Sequence, residues 1–195
     1  MKNNISDFAH VSPFASIGEG NTICNGVVIH DNVYIGNNNY IGEYTTIGTP
    51  PEFKNEFKKG KVIIGSDNVI REYVAIQSPA KNDCTVIRNH CYVMEKTHIA
   101  HDCFLDDYVT LAPGVVLGGN IGIKANMGIN SCVHPNLNIG KYTMIGMGAI
   151  VTKIVHDYQT VVNKSSAEVI GWNKKGMLKD MTEDEVEKII KGITG

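Results

Sequence analysis

The sequence predicts an all-β protein built as a parallel β-helix of about seven coils, with a short C-terminal helix. Two observations predict this fold. Glycine contributes 20 of the 195 residues, an excess that favours many tight turns. An aliphatic residue also returns at every sixth position over most of the chain. The members of this series are Ile17, Ile23, Ile29, Ile35, Ile41 and Ile47, then Ile64, Ile70 and Ile76, then Ile87, Val93, Ile99, Leu105, Leu111 and Leu117, and finally Ile121, Met127, Val133, Ile139, Ile145 and Val151.

Each six-residue unit is interpreted as a short strand followed by a corner. A helix would need apolar residues at a period near 3.6, and an amphipathic strand alternates for only a few residues, so neither pattern fits. Three units close a triangular coil, which stacks residues 18 apart at the ~4.8 Å strand spacing. The fifth position of the unit is often small or β-branched, as at Val27 and Thr45, and we expect it to point inward with the first. Between Leu117 and Ile121 the unit is two residues short.

Two interruptions predict loops. Residues 49–61, the long loop, replace the repeat with Pro50, Pro51 and a charge cluster. Residues 77–84, the short loop, contain Pro79 in a polar run. Loops of this kind commonly serve a site, and the long loop is the stronger candidate.

The periodicity ends after Val151. Thr182 and Glu185 form a capping box, Met181 and Val186 a hydrophobic staple, and Gly192 a stop signal for one C-terminal helix. The predicted organisation is therefore a β-helix over 1–160, with its loop at 49–61, and a linker and helix over 161–195.

Composition excludes several classes of protein. Eighteen basic against twenty acidic residues give a net charge of -2, which argues against a nucleic-acid partner. No apolar run reaches the ~18 residues that span a bilayer, and the first residues lack a signal-peptide core, so membrane insertion is not expected. Five cysteines without a CxxC pair argue against a disulfide framework and favour the cytoplasm.

The segment THIAHDC, residues 97–103, is the most informative motif. Because Ile99 points inward, His101 should lie at a corner and face outward. An imidazole there can act as a general base at neutral pH, or it can be a solvated corner histidine. Asp102 either orients His101 or is only a corner carboxylate.

The corners that follow Ile99, Leu117 and Val133 should stack along one edge. They carry His101, then Gly119 with Asn120, then His134. The N–H group of Gly119 suits stabilisation of an oxyanion in acyl transfer, although a glycine also simply permits a turn.

Other chemistries fit the motifs less well. Zinc would need ligands from among His90, Cys91, His98, His101 and Cys103, but the usual ligand spacings are absent. The cysteines occupy repeat positions where Cys acts as a small apolar residue, which disfavours a thiol nucleophile. No phosphate-binding glycine motif occurs. We therefore expect neither a metal nor a permanently bound cofactor.

The hexapeptide pattern, together with HIAHDC, LGGN and the later VH, resembles the left-handed parallel β-helix acyltransferases. The resemblance is closest to the UDP-N-acetylglucosamine O-acyltransferases of lipid A biosynthesis and runs from about Ile17 to Gly176. It implies a left-handed coil and transfer of an acyl group from acyl-CoA or acyl carrier protein to a hydroxyl or amine of a nucleotide-linked sugar such as UDP-N-acetylglucosamine. It also implies a homotrimer with sites between neighbouring prisms.

The same resemblance assigns roles to individual residues. His101 becomes the general base, Asp102 its support and Gly119 the oxyanion donor. The residues implied in substrate binding are His98, Asn120, His134, Glu52, Lys54, Gln77, Lys174 and Lys175.

This sequence departs from the family pattern in its polar groups and in its length. Asn120 and Gln77 replace histidines, and Lys174 and Lys175 replace arginines of a GLKRRG-type segment, which loses the planar fork. The C-terminal region is also shorter, which favours a short-chain acyl-CoA donor. The alternative functions are a metal enzyme of the γ-carbonic anhydrase type, whose HxxxxH spacing is missing, and a non-catalytic solenoid scaffold.

Overall fold

The chain forms a triangular prism of short parallel strands. The computed structural model describes residues 2–57, 59–163 and 167–192. Up to the twenty-third strand, successive strands visit sheet A, sheet B and sheet C in turn, so that neighbours within a sheet lie three strands apart in sequence. The predicted left-handed parallel β-helix is confirmed.

The strands of the three sheets are short, mostly of two residues. Sheet A contains β1 (Asn4–Ile5), β4 (Thr22–Ile23), β7 (Tyr40–Ile41), β10 (Val69–Ile70), β13 (Tyr92–Val93), β16 (Thr110–Leu111), β19 (Asn126–Met127), β22 (Met144–Ile145), β24 (Gln159–Asn163) and β25 (Ala167–Trp172). Sheet B contains β2 (His10–Val11), β5 (Val28–Ile29), β8 (Thr46–Thr49), β11 (Ala75–Gln77), β14 (His98–Ile99), β17 (Val116–Leu117), β20 (Cys132–Val133) and β23 (Ile150–Val151). Sheet C contains β3 (Ser16–Ile17), β6 (Val33–Ile35), β9 (Lys61–Ile64), β12 (Cys84–Ile87), β15 (Phe104–Leu105), β18 (Asn120–Ile121) and β21 (Asn138–Ile139).

The described residues form about eight coils rather than seven, because sheets A, B and C hold ten, eight and seven strands and one of the ten is antiparallel. The count from the sequence begins at Ile17, but Ile5 and Val11 already pair with the coil above them. Val161 extends sheet A at the other end by pairing with Ile145. Ile5 and Val11 are in phase with Ile17, so the six-residue period itself extends to the first coil.

The aliphatic series forms the core. Ile29, Ile41, Ile99 and Leu117 are fully buried, and most other members of the series are nearly so. The shortened unit is also where the sequence predicts it, since Leu117 ends β17 and Ile121 ends β18. Because neighbouring side chains in a strand point to opposite faces, burial of this series places the adjacent residues on the outside of the three sheets.

Glycine at the second position of a unit serves close packing between coils rather than the turn itself. A Cβ on Gly36 would lie 2.6 Å from Ser66 Oγ and 2.7 Å from the carbonyl oxygen of Gly65, so no larger residue fits there. The left-handed backbone falls instead at the fourth position, for example at Tyr44, with φ of 58°, and at Tyr142, with φ of 54°. Glycine fills this left-handed position at Gly20, Gly26, Gly114 and Gly148, so the glycine excess supports tight turns there. Gly48, with φ of 85°, is a second-position glycine that is itself left-handed.

Three buried asparagines form a column inside the corner between sheets C and A. Asn21, Asn39 and Asn68 occupy the fifth position of their units. Asn39 Nδ2 donates to Asn21 Oδ1 at 3.0 Å, and Asn68 Nδ2 donates to Asn39 Oδ1 at 3.0 Å. The Cys91 N–H closes the asparagine column by donating to Asn68 Oδ1 at 2.8 Å. These hydrogen bonds compensate for burial of the amides.

The C-terminal region contains more structure than the predicted linker and helix. β24 pairs in antiparallel fashion with β25, and a short helix α1 (Lys174–Met177) precedes α2 (Glu183–Gly192). The capping box of α2 is present, since Thr182 N donates to Glu185 Oε2 at 2.8 Å. Residues 164–166 and 193–195 of the predicted C-terminal unit lie outside the described residues, and its boundary at 160 stays a prediction.

The two helices are fixed to the corner between sheets C and A, the C–A edge. Tyr142 Oη donates to Asp180 Oδ1 at 2.6 Å, and Lys141 Nζ lies 3.6 Å from Asp180 Oδ2. The hydrogen bond from Tyr142 is the main reason that the pKa of Asp180 is lowered, with Lys141 and Lys124 adding to it. No helix in the described part of the chain is long and apolar enough to cross a bilayer.

Candidate functional site

The corner between sheets B and C, the B–C edge, gathers most of the residues to which sequence analysis assigns chemistry. The long loop follows β8, the short loop follows β11, and His101 with Asp102 follow β14. Gly118 and Gly119 follow β17. Because these four strands are consecutive members of sheet B, the corresponding corners stack directly on one another.

His101 and Asp102 form a hydrogen-bonded pair. The Nδ1 atom of His101 lies 2.8 Å from Oδ2 of Asp102, and their side chains are 23% and 12% exposed. Asp102 takes the fourth position of its unit, with φ of 64°, and this left-handed conformation turns its carboxylate back toward the ring. His101 lies at the corner, as the sequence predicts.

Backbone N–H groups of the short loop hold the Asp102 carboxylate. Oδ1 accepts from Asn82 N at 2.8 Å and from Ala80 N at 3.1 Å, and Lys81 N lies 3.1 Å from both oxygens. The Asp102 N–H in turn donates to the buried Thr85 Oγ1 at 3.1 Å. The carboxylate thus has its acceptor sites filled on the side away from the imidazole.

These contacts determine the charge on Asp102. Burial by itself would raise the pKa of its carboxyl, but the hydrogen bonds from the short loop and from the His101 ring outweigh burial and lower that pKa. An ionised Asp102 accepts a hydrogen bond from Nδ1–H of His101, which leaves Nε2 as the nitrogen that can take up a proton.

The sequence contains three His-Asp dipeptides, and only one of them forms this pair. His30 and His156 take the second position of their units, so Asp31 and Asp157 fall at the third. The Asp31 carboxylate accepts from Ser12 Oγ, and that of Asp157 accepts from Lys141 N at 3.0 Å. Only the dipeptide at 101–102 places its aspartate at the left-handed fourth position.

Gly119 lies one coil above this pair. Its neighbours Gly118 and Asn120 donate their N–H groups to Val133 and Leu137, whereas no described residue accepts a hydrogen bond from Gly119 N–H. A Cβ on Gly119 would clash with the carbonyl oxygen of Leu137, so glycine is required by packing at this corner. A backbone donor therefore remains available beside the imidazole edge.

The long loop packs against His101. The Phe53 ring meets the imidazole edge-on, with centroids 5.6 Å apart, and Lys81 Nζ lies 5.3 Å from the centroid of the Phe53 ring. Gln77 lies beneath these groups and is only 3% exposed. Its Oε1 accepts from the backbone N–H groups of Glu52 and His101. The contact of Gln77 with substrate stays a prediction.

Three further substrate-binding candidates flank the pair without contacting it in the described structure. His98 is half-buried on the outer face of sheet B. Asn120 is on sheet C, where its Nδ2 donates to Asn138 Oδ1 at 2.9 Å. His134 is exposed two coils above His101, with Nδ1 3.1 Å from its neighbouring carbonyl oxygen at Pro135.

The remaining candidates divide between two edges. Glu52 and Lys54 are exposed on the long loop, on either side of Phe53, whose ring contacts His101. Lys174 and Lys175 belong to α1 at the C–A edge, on the far side of sheet C. Within one chain, the fold does not bring these two lysines to the B–C edge.

Among the described residues, the candidate zinc ligands are not arranged as a metal site. Burial raises the pKa of both the Cys91 and the Cys103 thiol to about 12. No three His, Cys, Asp or Glu side chains in residues 2–57, 59–163 and 167–192 are grouped to hold a metal ion.

Phe53, Lys81 and Thr85 contact the pair or its supports and were not predicted from the sequence. Phe53 stands between the predicted Glu52 and Lys54, and an apolar residue inside a charged loop was its only signal. Lys81 contributes a backbone N–H, which any residue type provides.

Comparison with known families gives one match to a family model. Residues 14–49 match the bacterial transferase hexapeptide model of six repeats. A curated relative, the acyl-[acyl-carrier-protein]–UDP-N-acetylglucosamine O-acyltransferase of Gloeothece citriformis, is 34% identical over 107 residues, which cover 52% of this chain and 39% of the relative. The protein of the same name from Campylobacter concisus is 29% identical over 76% of this chain and 58% of the relative. The chain thus spans about two fifths to three fifths of these relatives.

Solved structures match over more of the chain. The UDP-N-acetylglucosamine acyltransferase of Francisella novicida superposes with a TM-score of 0.85 at 32% identity, covering 97% of this chain and 74% of that one. The UDP-N-acetylglucosamine O-acyltransferase of Moraxella catarrhalis gives a TM-score of 0.82 at 27% identity, covering 97% and 80%.

Proposed function

The chain belongs to the hexapeptide-repeat family of UDP-N-acetylglucosamine acyltransferases, and we propose that it transfers an acyl group from a thioester to the sugar of UDP-N-acetylglucosamine. The relatives' names specify this acceptor and an acyl carrier protein as donor. The acceptor group is a sugar hydroxyl in this proposal.

In the proposed mechanism, His101 is the general base. Nε2 takes the proton of the sugar hydroxyl while the oxygen attacks the thioester carbonyl carbon. Asp102 accepts from Nδ1 and stabilises the imidazolium that forms, so its negative charge is matched by a positive charge during attack. The short loop keeps that carboxylate ionised and oriented.

The attack leaves a tetrahedral intermediate with a negatively charged oxygen. Gly119 N–H donates to this oxyanion, as a backbone donor does in other acyl-transfer sites. When the intermediate collapses, the carbon–sulfur bond breaks and the thiolate takes the proton held by His101. The products are an acylated sugar nucleotide and a free thiol, and His101 returns to its starting state.

The observation that carries this proposal is the hydrogen bond between His101 and Asp102, with the carboxylate held by three consecutive backbone N–H groups. A solvated corner histidine needs no such support. The other two His-Asp dipeptides of the chain lack it, which supports a chemical role for this one.

We expect acyl transfer to be detectable by incubating the purified chain with UDP-N-acetylglucosamine and each of several donors. The donors are acetyl-CoA, a longer acyl-CoA and the matching acyl carrier proteins, and mass spectrometry measures the acylated nucleotide. A short-chain acyl-CoA is the donor expected from the sequence, whereas the relatives' names favour the carrier protein, so kcat/KM for the two classes of donor decides between them.

Mild hydroxylamine treatment of the product provides the control for the acceptor group. An ester is cleaved and an amide survives, and UDP-glucosamine supplies a matched acceptor with a free amine. Absence of product with every donor and both acceptors would overturn the proposed function.

We also propose that the active form is a homotrimer, because Lys174 and Lys175 reach the B–C edge only if a neighbouring copy supplies them. Light scattering coupled to size-exclusion chromatography is expected to give about three times the chain mass of 21.3 kDa. A monomeric mass together with full activity would contradict this proposal.

A further inference from the structure

Gln77 is a buried polar residue between the two loops of the B–C edge. It ends β11, where the pairing with β8 shifts register so that Gln77 lies opposite Thr49 at the start of the long loop. At 3% exposure its side chain lies inside the corner. Such a buried amide is retained only when its polar atoms have partners, so its partners indicate its role.

The Gln77 Oε1 atom connects two separate parts of the site. It accepts from Glu52 N in the long loop at 3.4 Å and from His101 N in the next coil at 3.2 Å. No other described residue accepts a hydrogen bond from either N–H group. One side-chain oxygen therefore joins the backbone of the loop to the backbone of the proposed base.

A second contact joins the same two parts. Phe53, next to Glu52, lies edge-on against the His101 ring, and Lys81 of the short loop lies over the Phe53 ring. The long loop is consequently held on His101 at two adjacent residues, once through its backbone and once through a ring. Exposed Glu52 and Lys54 extend from this fixed point.

We propose that Gln77 is a positioning residue that holds the long loop against His101 and thereby shapes the binding site for the sugar nucleotide. This inference rests on the proposed function for its substrate, but the loop attachment itself does not. Because Gln77 contacts the backbone of His101 and not its ring, its removal acts on acceptor binding more than on proton transfer.

The test replaces the acceptor oxygen while keeping the size of the side chain. In Gln77→Met, we expect trypsin to cleave the long loop, after Lys54 or Lys59, about tenfold faster, because loss of two hydrogen bonds eases local opening. The KM for UDP-N-acetylglucosamine should rise about tenfold, while kcat changes less than about threefold and its pH profile keeps its shape.

Two variants at the same site make the result specific. Gln77→Glu retains an oxygen on a stem of equal length but adds a charge to a buried side chain, so loop protection and KM should recover only in part relative to Gln77→Met. Gln77→Asn withdraws the amide by one methylene, so its loop-cleavage rate and KM should lie between those of wild type and Gln77→Met. If Gln77→Met does not fold, Gln77→Asn serves as the test.

Gln159→Met is the matched control at a distant edge. Gln159 Oε1 also accepts a backbone N–H, from His156 at 2.9 Å, but at the C–A edge. This variant should change neither loop cleavage nor KM.

Unchanged cleavage in Gln77→Met overturns the proposal, and a raised KM with unchanged cleavage overturns it too, since it indicates direct substrate contact. If the wild type transfers no acyl group, the proposed function fails by itself, and faster cleavage of the loop still supports the attachment through Gln77.

Discussion

Replacing His101 with alanine should lower kcat by at least about 100-fold while the β-helix stays folded, because general-base catalysis typically contributes 10² to 10⁴. The side chain lies at a corner and 23% exposed, outside the aliphatic core, so its loss opens no cavity among the coils. Steady-state kinetics with UDP-N-acetylglucosamine and the best donor measure the loss, and circular dichroism checks the fold.

Matched controls come from the other histidines. His30→Ala and His156→Ala remove histidines that also precede an aspartate but make no pair with it, and both should retain turnover. His98→Ala and His134→Ala should have effects smaller than His101→Ala, because their rings do not contact Asp102. Near-normal turnover of His101→Ala contradicts the assignment, and equal losses at all three positions favour a metal site, which metal analysis would reveal.

Asp102→Asn should lower kcat by about 10² to 10⁴, comparable to the loss when the aspartate of a Ser-His-Asp triad becomes asparagine. An amide offers one acceptor oxygen where the carboxylate offers two, and its NH2 group faces either the His101 ring or Lys81 N–H. In either orientation a hydrogen bond is lost and the tautomer with a basic Nε2 is no longer enforced. Kinetics of the purified variant measure the effect.

The stabilising effect of Asp102, measured against Asp102→Asn, should depend on pH. The pKa of Asp102 is lowered on folding, so its ionised form adds stability at pH values above its unfolded pKa, and this contribution disappears as pH falls through the folded pKa. The difference in melting temperature between wild type and Asp102→Asn should therefore be largest near pH 7 and shrink toward pH 3. A melting-temperature difference that stays constant across pH would contradict this prediction.

Asp157→Asn is the control for the effect of Asp102→Asn on kcat. It removes a carboxylate with one backbone partner and should leave kcat unchanged.

The sequence predicts the coil well because one residue in six must be aliphatic for the prism to have a core. The left-handed fourth position was not predicted, since residues as different as Tyr44, Asp102 and Lys124 occupy it. That position nevertheless decides which His-Asp dipeptide forms a pair. Counting residues from the last inward Ile or Val reveals it, once the backbone conformation is known.

Parts of the site escape prediction for a physical reason. The donors that hold Asp102 are backbone N–H groups of residues 80–82. Every residue except proline has such a group, so the residue types do not reveal the contact. The partner of Gln77 in the long loop is likewise a backbone N–H. Lys174 and Lys175 were placed near the sugar nucleotide by resemblance, but Asn173 and Asp180 attach their segment to Tyr142 on another edge.

The asparagine column has a consequence for folding. Coils made of similar units can in principle assemble one coil out of step, because the aliphatic positions match after a shift of 18 residues. The amides of Asn21, Asn39 and Asn68 occur only in the lower coils, while Val109 and Ala125 fill the same position higher up. A misassembled stack with Val109 or Ala125 below one of these asparagines would offer no side-chain oxygen to its backbone N–H, which Asn39 and Asn68 otherwise donate to the amide below. An unsatisfied polar group of this kind costs about 1 to 3 kcal/mol. The asparagine column thus disfavours stacks in which the coils assemble out of step during folding.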